Sequence, residues 1–218
     1  MNNIDIINEL NFEFDNSKSI IINTYEFAIM FLEKTDKDDR LRTRIMQHTL
    51  RTMKIAEKIL KKEFADRQIV MISLILHDIG KTITESRHDL VSYDIAQIYL
   101  KLTNLPEENQ KRILNCILYH SAKSIKTIKL TPEQKVVMDA DIMDEIGMLS
   151  VVKCCLKSQR NKDIEELIKQ LDEIYNKIDR ESEYVQTKYG KELYSQKKNK
   201  LKDLLTLLKS EATMYKIK

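Results

Sequence analysis

Hydrophobic residues recur at three- and four-residue steps over much of this chain, the spacing of one face of an α-helix. The clearest stretch spans 41–60, where His48 falls in the same three- and four-residue series as Ile45, Thr52, Ile55 and Ile59. Further helices are predicted over 20–32 and 91–102, and from Pro106 and Thr131 onwards. Residues 1–18 are polar without a repeating pattern, so no regular element is predicted there.

The stretch from Ile69 to Leu76 is apolar on nearly every side, with Asp66 placed to cap its start. A helix of this kind is buried, so we predict that it is the central helix of the core. It leads into His77 and Asp78, and Gly80 is expected to end it.

The last third of the chain, from about residue 161, carries two apolar stripes at helical spacing. The first comprises Ile164, Leu167, Leu171, Ile174 and Ile178, and the second comprises Leu201, Leu204, Leu205 and Leu208. We predict a helical hairpin that packs on the core or forms a dimerisation arm, with Gly190 interrupting or bending its second helix.

Composition favours an all-helical chain. The sequence has only 3 glycines and 2 prolines, whereas a sheet protein needs many tight turns. The formal net charge of +3 gives no nucleic-acid or membrane signature. Without a signal peptide or an apolar run of ~20 residues, a cytoplasmic location is expected. Three cysteines indicate no disulfide framework and are expected to be buried or partly buried fillers: Cys116, Cys154 and Cys155.

All four histidines lie beside other polar groups, and three fall on or at the ends of predicted apolar helices. They are His48, His77, His88 and His120. A buried imidazole costs free energy unless it is hydrogen-bonded or binds a metal, and a single one is usually a satisfied core residue. Four, with Asp78 beside one and Asp141 on a later helix, indicate a metal site. Imidazole with carboxylate suits Mn, Fe, Co, Ni or Zn, and Mg less well.

The order of these residues resembles the H…HD…D signature of the HD superfamily of metal-dependent phosphohydrolases. Residues 77–81 (HDIGK) are similar to its core dipeptide, residues 87–92 (RHDLVS) and 119–121 (YHS) to segments carrying further histidines, and 136–147 (VVMDADIMDEIG) to a DAD-x-x-D-x-x-G segment. The resemblance spans residues 40–155. It implies an all-α HD-domain bundle over 19–158, after an N-terminal segment (1–18) and before a helical extension (159–218).

The resemblance implies that His48, His77, Asp78 and Asp141 bind a first divalent ion. In branches with additional histidines, Asp78 bridges to a second ion, which here gives His88 and His120 as its ligands. Whether one or two ions bind stays open, because motif order does not fix the number of ligands. With one ion, the two additional histidines contact phosphate or the attacking water.

Catalysis is expected from Asp78 as a metal ligand and from Lys81, whose counterpart in similar proteins faces the substrate phosphate; a solvated charge at a helix end is the alternative for Lys81. Arg44, one turn before His48, is a candidate for substrate binding, although a surface role is the simpler interpretation. Asp144 either orients a ligand histidine or caps the turn near Gly147.

The expected activity is cleavage of a phosphoester or phosphoanhydride in a small nucleotide-like substrate, with a homodimer possible. Segments typical of alarmone and cyclic-di-GMP hydrolases are missing, and the spacing from His77 to His88 is shorter than in diadenosine tetraphosphate hydrolases. Two alternatives remain: a non-catalytic nucleotide-binding regulatory module, and a helical scaffold that uses the C-terminal helices. The scaffold leaves the four histidines unexplained.

Overall fold

A computed structural model of the chain describes residues 3–36, 39–121, 129–157 and 163–213. Over these ranges the chain forms ten α-helices and no β-strand, which confirms the all-α prediction. The helices are α1 (Asn3–Glu9), α2 (Ile20–Thr35), α3 (Asp39–Leu60), α4 (Arg67–Leu76), α5 (His88–Leu100), α6 (Glu107–Leu118), α7 (Pro132–Asp144), α8 (Met148–Lys157), α9 (Ile164–Glu181) and α10 (Lys188–Thr213). None of the described helices is long and apolar enough to cross a membrane.

Helix α4 lies at the centre of the core and contacts α2, α3, α6 and α7. Every residue from Ile69 to Leu76 is buried, in agreement with its all-round apolar sequence. The Asp66 side chain caps the helix by accepting hydrogen bonds from the backbone N–H groups of Gln68 and Ile69. Each fully buried aliphatic side chain contributes about 1.5–3 kcal/mol, so α4 is a rigid platform for the residues that follow it.

Gly80 does not end α4 as predicted. The helix ends at Leu76, and Gly80 is buried within a 3-10 turn over Ile79–Thr82. A Cβ at Gly80 would lie 2.8 Å from the Ser92 backbone nitrogen and 2.9 Å from the His88 carbonyl oxygen. Glycine is therefore required for close approach to the start of α5, and the Gly80 N–H donates to the Ser92 hydroxyl at 2.9 Å.

The N-terminal segment is more ordered than its sequence suggests. Residues Asn3–Glu9 form α1, which contacts α2 and α5 and buries Ile6 and Ile7. Leu10 is also buried in the same core. Three aliphatic residues within two turns are too few to give a detectable helical period, so tertiary packing decides the structure of this segment.

Helix α7 begins at a capping box. The Thr131 side chain accepts from the backbone N–H of Gln134, and the Gln134 side chain accepts from the backbone N–H of Thr131. Pro132 occupies the first turn, where a missing N–H costs nothing. These contacts fix the start of a helix that packs against α3, α4, α6 and α10.

The C-terminal helices pack on the core. Helices α9 and α10 contact each other through buried residues of the two predicted stripes, and α10 contacts α7. The Tyr189 N–H donates to the Glu63 carboxylate at 2.7 Å, and the Lys197 ammonium donates to the Met143 carbonyl at 2.7 Å. The predicted boundary at 158/159 and the composition shift near 161 lie outside the described residues.

Two predictions for the C-terminal region are wrong in detail. Gly190 neither interrupts nor bends α10; it lies in the first turn, where a Cβ would come within 2.3 Å of an Asp139 carboxylate oxygen. Of the three cysteines, Cys116 and Cys154 are buried but Cys155 is exposed, because it lies on the outward face of α8.

Candidate metal centre

Side chains from five helices meet at one end of α4. His48 comes from α3, and His77 and Asp78 follow the last residue of α4. The remaining three are His88 at the start of α5, His120 just after α6, and Asp141 on α7. All six residues that the sequence predicts as metal ligands therefore lie in one cluster.

The first half of the cluster contains His48, His77 and Asp78, whose donor atoms all lie within 4.8 Å of one another. The Nε2 atoms of His48 and His77 are 3.1 Å apart. Asp141 lies beside this group, with Oδ1 3.1 Å from Nε2 of His48 and 3.8 Å from Nε2 of His77. Two imidazoles and two carboxylates thus point at a common volume.

The second half contains Asp78, His88 and His120, whose donor atoms also lie within 4.8 Å of one another. Asp78 Oδ1 is 3.3 Å from Nε2 of His88 and 3.9 Å from Nε2 of His120. The other carboxylate oxygen, Oδ2, is 3.5 Å from Nε2 of both His48 and His77. Asp78 is therefore shared between the two halves, with one oxygen directed to each.

Hydrogen bonds on the outer ring nitrogen fix the tautomer of each histidine. Nδ1 of His77 faces the Leu74 carbonyl at 2.8 Å, and Nδ1 of His120 faces the Ile117 carbonyl at 2.6 Å. Nδ1 of His88 faces the Glu85 carbonyl in the same way. A carbonyl only accepts, so Nδ1 is the donor in these three rings and Nε2 faces the cluster. Nitrogen atoms that converge beside carboxylates are an arrangement that can hold a cation.

One buried atom in the cluster has no hydrogen-bond partner, although an imidazole lies near it. Asp78 Oδ1 is the single buried side-chain oxygen or nitrogen among the described residues that lacks a hydrogen bond. Such an atom costs free energy unless something satisfies it. On Oδ2 the Lys81 ammonium forms an ion pair. The orphaned oxygen and the donor set fit divalent metal ions of the kind that imidazole and carboxylate groups hold.

The protonation states follow from burial and neighbours. Burial raises the pKa of Asp141, but hydrogen bonds with His48 and His77 hold it well below its usual range. Burial alone lowers the pKa of His48, yet its bonds to Asp141 and Asp144 raise it to about 9. The pKa of the fully buried His120 is lowered, because burial disfavours the imidazolium. A metal ion that binds here must displace the proton on Nε2 of His48, while Nδ1 keeps its proton towards Asp144.

Asp144 and Arg51 hold His48 in place. Nδ1 of His48 lies 2.9 Å from Asp144 Oδ2, and the Arg51 guanidinium donates to both oxygens of Asp144, at 2.6 and 2.8 Å. Of the two sequence alternatives for Asp144, the structure shows the contact with the histidine. Arg51 is absent from the sequence-based assignment, although its position one turn after His48 on α3 was an available signal.

Strained backbone lies next to His88. Arg87 adopts φ 61° and ψ 29°, a left-handed conformation that non-glycine residues rarely occupy. The conformation turns the chain so that α5 begins at His88, with Gly80 packed against it. Strain of this kind persists only where the surrounding structure enforces it, often at functional sites.

The cluster forms the floor of a cleft of ≈ 710 Å³ whose lining includes Arg44, Lys81 and residues of α8 and α9. Within the described chain, Lys81 pairs with Asp78, Lys153 with Glu145, and Arg51 with Asp144. The Arg44 side chain is exposed at this cleft and has no such carboxylate partner among the described residues. It is thus a cation available to an anionic ligand.

Comparisons with known proteins agree with this geometry. Residues 45–146 match the family model described as HD domain. An HD-superfamily hydrolase from Bacillus thuringiensis superposes with a TM-score of 0.68 at 19% identity, covering 88% of this chain and 96% of that one. A predicted HD superfamily hydrolase from an uncultured Thermotogales bacterium gives 0.63 at 17%, covering 85% and 91%.

Bacillus subtilis YpgQ, whose structure was determined in complex with ADP, gives a TM-score of 0.57 at 21% identity, covering 79% of this chain and 96% of YpgQ. At such identities the structural similarity shows the fold alone. No curated protein has detectable sequence similarity to this chain.

Proposed function

We propose that this chain, whose residues 45–146 match the HD domain family model, is a metal-dependent phosphohydrolase that cleaves a phosphoester or phosphoanhydride bond of a small nucleotide-like substrate. The observation that carries the proposal is the shared position of Asp78. Its two oxygens face two separate groups of imidazole nitrogens, and one of those oxygens has no hydrogen-bond partner.

The first ion would be held by His48, His77, Asp78 and Asp141, and a second by Asp78 together with His88 and His120. Divalent ions supply, when bound, a lowered pKa for water and positive charge for phosphate oxygens. Mn, Fe, Co, Ni or Zn suits this donor set.

The remaining residues of the cleft position the substrate. Lys81 lies beside Asp78 and lines the cleft, so its ammonium is placed to donate to a phosphate oxygen. Arg44 offers a planar guanidinium that binds two phosphate oxygens at once. Asp144 keeps the proton of His48 on Nδ1 and so leaves Nε2 free to bind metal.

A nucleotide is the substrate class that fits best. The cleft volume of ≈ 710 Å³ lies within the range of small-molecule sites and exceeds the need of inorganic phosphate. YpgQ, which shares the fold, was crystallised with ADP. The volume argues against inorganic phosphate as the substrate, and the ADP complex of a protein with the same fold favours a nucleotide over a phosphosugar.

Hydrolysis can be tested with protein stripped by a chelator and reloaded with Mn²⁺. Phosphate and pyrophosphate release from nucleoside di- and triphosphates, and cleavage of bis(p-nitrophenyl) phosphate, would be measured for wild type and Asp78→Asn. We expect Asp78→Asn to lower turnover by more than about 10³-fold, because it weakens both metal groups together.

Asp179→Asn is the matched control, since Asp179 is an exposed carboxylate on α9 outside the cleft. It should retain wild-type turnover. Metal uptake by the wild type without turnover of any of these substrates would contradict the proposal and favour a non-catalytic nucleotide-binding module.

A further inference from the structure

Helix α8 presents three large aliphatic side chains on one face. Leu149, Val152 and Leu156 are spaced by three and four residues and are 40, 47 and 82% exposed. The opposite face of α8 packs inward, with Val151 half-buried against the core and Cys154 buried. Contiguous exposed aliphatic residues on a soluble helix are unfavourable in water and typically mark a binding surface.

This apolar face is part of the candidate active site. Leu149, Val152 and Leu156 line the same cleft as His48 and Asp78. The wall contributed by α3 carries Arg44, Gln47 and Arg51 together with the buried Ile45, and is therefore mainly polar. The cleft therefore combines a cationic, metal-ligating part with an aliphatic part, and a ligand that fills it needs an anionic end and an apolar end.

We propose that Leu149, Val152 and Leu156 form the subsite for the nucleobase of the substrate, an assignment that rests on the proposed function. A nucleobase is flat and apolar on both faces, and aliphatic side chains bind such a face through the hydrophobic effect. The phosphates then lie towards Asp78, Lys81 and Arg44. Since the three side chains offer no hydrogen bond, they favour a nucleotide over an inorganic polyphosphate without selecting among bases.

The ligand that covers the aliphatic face of α8 can be inferred because this face continues directly into the metal-ligating cluster. A protein segment or a second copy of the chain that covered this face of α8 would also cover the mouth of the cleft, because the same three side chains line it. A nucleotide satisfies both parts of the cleft at once.

Two ligands whose phosphorus atoms are joined by a non-hydrolysable methylene bridge differ by the nucleoside: α,β-methylene-ADP and methylenediphosphonate. Their affinities for the Mn²⁺-loaded full chain would be measured by calorimetry. We expect wild type to bind the nucleoside-containing ligand roughly tenfold more tightly or better. The variant Leu149→Ala/Val152→Ala/Leu156→Ala should lose that advantage to within about twofold and keep its affinity for methylenediphosphonate.

Leu207→Ala provides the control, because Leu207 is a comparably exposed leucine on α10 that does not line the cleft. Equal affinity of wild type for the two ligands, or an advantage that survives the triple substitution, would overturn the subsite. A triple variant that changes the oligomeric mass and not the affinity ratio would do the same. Preference for the nucleoside ligand without turnover of any substrate would overturn the hydrolase proposal and leave the subsite standing.

Discussion

Two aspartates on α7, separated by one residue, have opposite surroundings. Asp141 faces the imidazoles of His48 and His77. Asp139 faces the C-terminal extension and accepts hydrogen bonds from the Thr187 N–H and hydroxyl at 2.8 and 2.6 Å, and from the Gln186 N–H at 2.7 Å. One carboxylate belongs to the candidate metal centre, and the other fastens the extension to the core.

The pKa values of the two groups diverge in the same way. Burial raises the pKa of Asp139 to about 6, despite the donors around it. The pKa of Asp141 falls instead, despite its burial, because hydrogen bonds with His48 and His77 stabilise its carboxylate. The role of each aspartate is therefore determined by the groups that surround its side chain, and not by its residue type or its position on the helix.

The different roles of the two carboxylates can be tested by removing each in turn, starting with Asp141. We predict that Asp141→Ala lowers phosphoester turnover by more than about 10³-fold, because a ligand of the first metal group is lost. Its melting temperature should stay close to that of wild type, since the side chain borders an open cleft. Steady-state kinetics and thermal denaturation monitored by circular dichroism measure the two effects. A stable variant with unreduced turnover would remove Asp141 from the metal centre.

For Asp139→Ala we predict the reverse: a lower melting temperature with phosphoester turnover close to that of wild type. Three donors on Gln186 and Thr187 lose their acceptor, at a cost of about 3 kcal/mol in the free energy of unfolding. For a chain of this length, that corresponds to a fall of roughly 6–12 °C in melting temperature. Gly190→Ala should also destabilise, because its Cβ would displace the Asp139 carboxylate. Wild-type stability in both variants would contradict the fastening role of Asp139.

A smaller effect, on metal affinity, is expected when the support of His48 by Arg51 and Asp144 is weakened. Arg51→Ala leaves Asp144 without its guanidinium partner and frees the carboxylate to turn from the histidine. We predict a 10- to 100-fold loss of metal affinity, of the order found for groups that orient metal-bound histidines. Titration of apo-protein with Mn²⁺ would measure this loss, and Arg51→Lys should recover part of it. An unchanged affinity in Arg51→Ala would show that Asp144 alone orients His48.

The sequence predicts the centre of this molecule better than its periphery. Helix α4 is apolar on every side, and the histidines before and after it lie at intervals that a family signature shares, so the six candidate ligands could be named in advance. The interior of a helical core leaves few alternatives for such a stretch.

Contacts that depend on three-dimensional packing were not predictable in the same way. Gly80 was expected to end a helix. Glycine is needed there instead because α5 approaches its backbone closely, and no local sequence pattern encodes that approach. Helix α1 is too short to show a period. The apolar face of α8 resembles any buried stripe in sequence, and only the fold places Leu149 and Val152 at the cleft rather than in the core.

The central claim is that Asp78 joins two metal groups, and metal content tests it most directly. Protein reconstituted with excess Mn²⁺ and freed of unbound ion would be assayed by elemental analysis, wild type beside Asp78→Ala and His120→Ala. We predict about two equivalents per chain in wild type, about one in His120→Ala and almost none in Asp78→Ala. A wild type that takes up no metal or only about one equivalent, or an Asp78→Ala variant that keeps the wild-type content, would contradict this claim.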